Sequence, residues 1–341
     1  MFYLFARLSR ILRRPVFAFA PVFAFVAALI CGCSTTPEPP RSAASLVPSV
    51  KSYTRFVRTG EDDFSMQMAV RTFVPTRRAG PSITLISAVH IGSESYYAQL
   101  QKILDGKRLL LFEGVSEDPD AFKRIAETGE HNEGLYDYIA KASGLTVQAS
   151  SIKYNRRHFK NADLSLKAMR RILDREIEGG GPKAAAAKEA AQLMGEVEGL
   201  LVGEGGFSML AVRGLLGLMQ DNAPLRTLFL LHLGTVEDSQ AVLSSLGTPG
   251  VRRLERLILH DRNAAAMSIL RQAMKGEEAP ASIGIFYGAA HMPGMETILR
   301  LETDYVLSRT VWLNAFTVHP KAAGLTDEMI AEFIQRAVPQ P

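Results

Sequence analysis

Ile83-Thr84-Leu85-Ile86-Ser87-Ala88-Val89-His90 is an apolar run that stops in small residues and then presents a histidine. Ile283-Gly284-Ile285-Phe286-Tyr287-Gly288-Ala289-Ala290-His291, far along the chain, repeats the pattern. Both runs are short, mostly apolar and rich in isoleucine, and each reads as a buried strand. A helix-like segment follows each: Ser93 to Leu104, with Tyr97, Leu100, Ile103 and Leu104 on one face, and a second keeping Met295, Ile298 and Leu299. Leu109-Leu110-Leu111-Phe112-Glu113-Gly114 is a third apolar run, and it ends on a carboxylate. Open α/β folds bind ligands at the carboxyl edge of their parallel strands. Three strand ends carrying His90, Glu113 and His291 therefore predict a polar site at that edge.

Working outward, Phe64 to Val74 alternates polar and apolar residues and reads as a half-buried strand. Pro75 to Ser82 reads as a hairpin loop, and Arg108 to Glu113 as a strand completing a β-β-α-β start. Pro119 to Ala142 reads as two short helices, and Leu145 to Ala149 as a strand. Asn161-Ala162-Asp163 opens a helix, with Asp163 as its cap and a supporting role in the site as the second reading. Residues 164–246 are helical in pattern, broken at Gly179 to Gly181 and Gly203 to Gly206. Phe207 to Met219 is very apolar, yet shorter than the ~20 residues that span a membrane, and reads as a core or lid helix. Val251 to Met274 reads as one amphipathic helix, and Tyr305 to Phe316 as one or two closing strands. The expected fold class is α/β: a central mixed sheet flanked by helices, with a large helical insertion.

The amino terminus predicts targeting. Arg7, Arg10, Arg13 and Arg14 precede the apolar stretch Val16 to Ile30, which suits a signal segment better than a spanning helix. It ends in Ile30-Cys31-Gly32-Cys33-Ser34, which looks like a bacterial lipobox with Cys33 as the lipidated first residue of the mature chain. Cys31 is unusual within such a box; an uncleaved anchor or an ordinary secretory signal are the alternatives. Ser34, with no aspartate next to it, is similar to sorting to the outer membrane, with the domain facing the periplasm. The organisation expected is a signal peptide over 1–32, a Pro/Ser/Thr-rich tether over 33–60, a domain over 61–318 with its insertion at about 164–246, and a helix and tail over 319–341.

Cleavage would remove four arginines and no acid, taking the formal net charge from +4 to zero, so the basic balance argues for targeting and not for nucleic acid. Both cysteines lie in the same segment. The folded part then has no thiol nucleophile, disulfide or cysteine metal ligand, and any metal must use His, Asp and Glu. Common metalloprotease, lipase and phosphate-loop motifs are lacking.

The ensemble resembles the TraB/PrgY/GumN family, related to the TIKI proteases. That resemblance rests on Ser87-Ala88-Val89-His90, Glu113-Gly114, Asp261-Arg262-Asn263 and Gly288-Ala289-Ala290-His291, in this order, and covers roughly residues 64–318. It implies a hydrolase of the peptidase or esterase type, with His90, Glu113 and His291 as catalytic groups or ligands of a divalent metal of the Mn or Zn type. Neutral imidazoles and a carboxylate suit such an ion, which would activate water and polarise a carbonyl. Alternatively Glu113 is a general base and the histidines orient substrate. Arg262 reads equally as an oxyanion or carboxylate contact and as a structural partner of Asp261, Glu255 or Glu113. Ser87 departs from the first glycine of the family motif, and would strain the turn if that position needs positive φ. The competing reading is a haem- or small-ligand-binding lipoprotein similar to ChaN, with Tyr287 or His291 toward haem; a non-catalytic family member is a third. His131, His158, His232 and His260 read as surface or structural, and Arg156, Arg157, His158 and Lys160 as a solvated basic face.

Overall fold

The two strands that carry the histidine motifs lie side by side, parallel and in register, from Ser82 opposite Ser282 to Ala88 opposite Gly288. The computed structural model describes residues 50–77, 79–118, 120–129, 134–201, 206–235, 247–275 and 278–337. The proposed signal peptide, Cys33, the first part of the tether, His131 and the 203–205 glycine break lie outside the described residues.

In chain order the elements begin with β1 (Thr54–Arg58), β2 (Phe64–Pro75), β3 (Ser82–Ala88), β4 (Ile91–Gly92), α1 (Glu94–Asp105) and β5 (Leu109–Phe112). Then come α2 (Ala121–Thr128), α3 (Leu135–Ser143), β6 (Thr146–Val147), α4 (Gln148–Ser151) and β7 (Phe159–Asn161). The helical insertion is α5 (Leu166–Glu178), α6 (Gly181–Leu201), α7 (Gly206–Gln220) and α8 (Ala223–Thr235). After it follow α9 (Pro249–Arg256), a π-helical turn (Leu257–Asp261), α10 (Arg262–Ala273), β8 (Ser282–Gly288), a 3-10 turn (Ala289–His291), α11 (Met292–Glu302), β9 (Tyr305–Val318) and α12 (Asp327–Ala337).

Seven strands form a mixed sheet in the order β1-β2-β3-β8-β5-β7, with β9 antiparallel to β2, and helices flank it. The fold is α/β. The neighbours β3, β8, β5 and β7 are parallel, so their carboxyl ends share one edge. Alternation along β3 sends Ile86 and Ala88 into one apolar layer and Ile83 and Leu85 into the other. Burial on both faces is what makes these runs continuously apolar instead of alternating. A third, smaller apolar cluster joins α5, α6 and α9, with Met169, Leu173, Ala187 and Leu257 at its centre. No helix among the described residues is long and apolar enough to cross a membrane, α7 included.

Three expectations need correction. Residues 54–58, assigned to the tether, are the strand β1, paired antiparallel with β2. The chain just before it is fixed by Arg71, which donates to the carbonyls of Lys51 and Ser52 and pairs with the buried Glu296 at 2.8 Å. The strand expected over 145–149 is only Thr146–Val147, followed directly by α4. Phe159–Asn161, hidden inside the basic cluster, is a parallel strand beside β5; at three residues it is too short for periodicity to show. The helix read over 251–274 is present, running without a gap from Pro249 to Ala273, and carries one π-helical turn within it.

Candidate functional site

Each site residue stands just beyond the end of a parallel strand. The Glu113 amide donates to Phe286 O at 2.9 Å, extending the β5–β8 ladder by one residue and fixing where the carboxylate leaves the sheet. His90 leaves β3 two residues after Ala88. Its carbonyl accepts from Gln148 N at 2.8 Å, and its ring stacks on Tyr136 at 4.7 Å. His291 closes the 3-10 turn after β8, and α11 starts immediately behind it.

Glu113 is the hub. Its Oε1 accepts from Arg262 Nη2 at 2.6 Å, and its Oε2 from the Gly288 amide at 2.6 Å. His291 Nε2 lies 3.5 Å from Oε1. A Cβ on Gly288 would sit 3.2 Å from Oε2, so a larger residue there would make the carboxylate give way by a few tenths of an ångström. Burial pushes the Glu113 carboxyl upward in pKa, but Arg262, then His291 and His90, outweigh it and hold the group well below the ordinary carboxylate range. Burial lowers the basicity of His90 below the ordinary imidazole value; Glu113 opposes this, while Arg262 and His291 add to it.

Arg262 is locked between two carboxylates. Its Nε and Nη2 bind Asp163 at 2.8 and 2.6 Å, in addition to the bond to Glu113. Burial alone would lower its pKa; Asp163 and Glu113 reverse that and raise it. Asp163 is not the cap of α5. Ser165 fills that place, its hydroxyl accepting from Ala168 N. Asp163 is fully buried and also accepts from Gly114 N, so it braces the Glu113-Gly114 turn as well as Arg262. Asn161 holds the same turn by donating to Gly114 O at 2.7 Å. The unforeseen strand β7 is thus the element that delivers Asn161 and Asp163. The polar pattern Asn161-Ala162-Asp163 is its only trace in the sequence.

Other expectations resolve differently. Asp261 pairs with Arg253 at 3.2 Å and is not part of the cluster, because the π-helical turn rephases the helix and leaves Arg262 and Asn263 buried. Of the carboxylates that the sequence offered Arg262, the structure selects Glu113 and adds Asp163. The Tyr287 hydroxyl donates to Ala162 O at 2.9 Å within the core, so it is not free to ligate haem. Ser87 has no left-handed backbone; among the described residues only glycines have positive φ. Its hydroxyl donates to Ala69 O at 2.7 Å, which ties β3 to β2. In the sequence, Asn263 stands out only as part of the Asp261-Arg262-Asn263 motif. Its side chain makes two contacts with His291, Nδ2 to the carbonyl at 3.2 Å and Oδ1 with Nδ1 at 2.7 Å.

The residues in this arrangement do not fit the three-ligand metal shell expected of His90, Glu113 and His291. Both carboxylate oxygens are engaged by N–H donors, one of them cationic, and a cation beside Arg262 would meet like charge. Among the described residues no three His, Cys, Asp or Glu side chains are gathered as a metal site. An open groove lined by Pro75, Gly80, Pro81, Arg300 and Asp304 lies at the amino end of β3, the opposite edge, and contains none of these residues. Comparison of the chain with family models, with curated proteins and with solved structures gives no match.

Proposed function

We propose that this protein is a hydrolase of amide or ester bonds, of the TraB/TIKI type, held at a bacterial membrane through Cys33 with its domain facing the periplasm. The observation that carries the hydrolytic reading is one immobilised carboxylate with His291 beside it, and His90 just beyond the end of the strand next to that of His291, at the carboxyl edge of three neighbouring parallel strands. Catalytic groups gather at such edges because rigid strands position them while the loops beyond are free to admit substrate.

The chemistry follows from the electrostatics. Glu113, with both oxygens engaged and its pKa depressed, is a weak base. Taking a proton from water therefore falls to an imidazole. His90 is neutral at neutral pH, because burial lowers its basicity, and it is only half-buried. The water oxygen bonds to the substrate carbonyl carbon as its proton passes to His90. Collapse of the tetrahedral adduct breaks the bond to the leaving nitrogen or oxygen, which takes a proton in turn. His90, which holds the proton taken from water, returns it there and is neutral again at the end of the turnover. His291, its Nε2 facing Glu113, borders the same site and orients the substrate. Glu113, held by Arg262 and the Gly288 amide, supplies fixed negative charge against the imidazolium that forms. Both residues named for the haem-binding alternative are otherwise engaged: Tyr287 is spent within the core, and the buried His291 has Nδ1 on Asn263 and Nε2 facing Glu113.

The test is hydrolysis of matched series of N-acetyl amino-acid anilides and nitrophenyl esters by the full chain. His90→Ala, Glu113→Gln and His291→Ala should each remove most of the activity while far-ultraviolet circular dichroism stays unchanged. The acid limb of the rate profile should fall below pH 6.5, the ordinary imidazole value. Wild-type rates matched by all three variants would sink the proposal.

A further inference from the structure

We propose that Asn263 is a positioning residue that holds His291 with a hydrogen on Nδ1 and so presents Nε2 to Glu113. The inference builds on the hydrolytic reading in assigning His291 a task, but the geometry behind it stands alone. A backbone carbonyl can only accept a hydrogen bond. The 3.2 Å contact from Asn263 to the carbonyl of His291 therefore identifies the Asn263 atom there as Nδ2. This leaves Oδ1, which can only accept, facing His291 Nδ1 at 2.7 Å. Nδ1 must then carry a hydrogen whether the ring is neutral or charged. One asparagine reads both the backbone and the ring of the same residue, and that double contact fixes an assignment that a single bond would leave ambiguous.

Two further features exist around this contact. The π-helical turn Leu257–Asp261 directly precedes Arg262 and Asn263, and both of these consecutive residues are buried, at 6% and 3% exposure. Bulges of this kind recur where a helix must aim neighbouring side chains at a site. Gly294, on the first turn of α11, faces the same amide: a Cβ there would lie 2.7 Å from Asn263 Nδ2, closer than real contacts permit. The helix behind His291 is thus cut away where Asn263 passes. With Nδ1 occupied, the Nε2 lone pair of the neutral ring points toward the Glu113 carboxylate. On the neutral ring Nε2 therefore faces Oε1 across 3.5 Å without a hydrogen of its own. The contact with Asn263 thus decides which ring nitrogen is turned to Glu113.

The experiment is long-range proton–nitrogen correlation spectroscopy on the full chain carrying nitrogen-15 histidine, with the His291 signals assigned by their loss in His291→Gln. In the wild type, Nδ1 should resonate in the protonated range from mildly acidic to alkaline pH. Asn263→Ala should move the neutral ring toward the Nε2–H tautomer, and Asn263→Asp, which keeps an acceptor, should restore Nδ1–H. Gly294→Ala should shift the ring in the same direction as Asn263→Ala, and it supplies the reading if Asn263→Ala does not fold. Where hydrolysis is measurable, kcat should drop by about 10- to 100-fold in Asn263→Ala with KM little changed, and recover in part in Asn263→Asp. An unprotonated Nδ1 in the wild type, or a ring unmoved by both Asn263→Ala and Gly294→Ala, overturns the inference. The expected tautomer in a protein that cleaves neither anilide nor ester leaves this inference standing and removes the hydrolytic one.

Discussion

Replacing Arg262 by Met tests the charge network at its centre while keeping most of the aliphatic volume. The guanidinium makes three charge-assisted bonds of 2.6 to 2.8 Å to Asp163 and Glu113. The side chains involved are 7% (Arg262), 13% (Glu113) and 0% (Asp163) exposed. Removing one partner of a buried ion pair costs about 3–5 kcal/mol, because the charge left behind has neither water nor a counter-ion. Here two carboxylates are stranded, so we expect about 4–5 kcal/mol, the upper part of that range. Adding Asp163→Asn removes one stranded charge and should recover about 1–3 kcal/mol. Urea unfolding followed by circular dichroism reads both changes as shifts of the midpoint at constant slope.

The sign of the pH dependence is the sharper signature. In the wild type the Glu113 pKa lies below its unfolded value near 4.5, so its contribution is complete above that value and is lost only as pH falls through the depressed one. In Arg262→Met the strongest opposing charge is gone and burial, which raises the pKa, prevails. Protonating Glu113 then stabilises the fold, and the variant should gain stability as pH drops from neutral. The gain is about 1.4 kcal/mol for each unit by which the folded pKa exceeds the unfolded one. A stability loss under about 1 kcal/mol, well short of the buried-pair cost, would refute the assignment of Arg262 as the counter-ion of this cluster. So would a variant that loses stability on acidification along the wild-type slope.

Three other outcomes are expected. Ser87→Gly should lower stability by about 1–2 kcal/mol in a thermal melt, through the lost bond to Ala69 O and the freer backbone, with no gain in activity; an equal or higher midpoint would show that the position wants a glycine after all. Gly288→Ala leaves the backbone unstrained at φ −53° but crowds Glu113 Oε2, so activity should fall further than the roughly 1–2 kcal/mol of stability lost with one displaced hydrogen bond, and equal activity would remove the Gly288 amide from the site. Equilibrium dialysis against Mn²⁺ and Zn²⁺ should show no stoichiometric uptake that depends on His90. One bound equivalent abolished by both His90→Ala and His291→Ala would mean that the Arg262-held arrangement is not the working one.

The sequence alone carried the architecture and the three strand-end residues. Continuous apolar runs are forced by burial on both faces of a parallel sheet, and such a run must end where the chain turns into a loop; His90, Glu113 and His291 were legible because they stand at those ends. What joins them was legible only in part: Glu113 was one of three partners open to Arg262, and a supporting role was the second reading of Asp163. Asp163 read as a helix cap because a local pattern cannot show a bond reaching 99 positions along the chain to Arg262. β7 was missed because three residues carry no period, and Asp261 was grouped with Arg262 because an unbroken helical repeat hides a π-helical turn. The exclusion of thiol chemistry from the folded part came from composition; a three-ligand metal shell was disfavoured only by the structure. Side-chain type and spacing record what is buried and where strands stop. Which donor each carboxylate oxygen meets depends on elements that approach from distant parts of the chain, and that was decided by the tertiary fold.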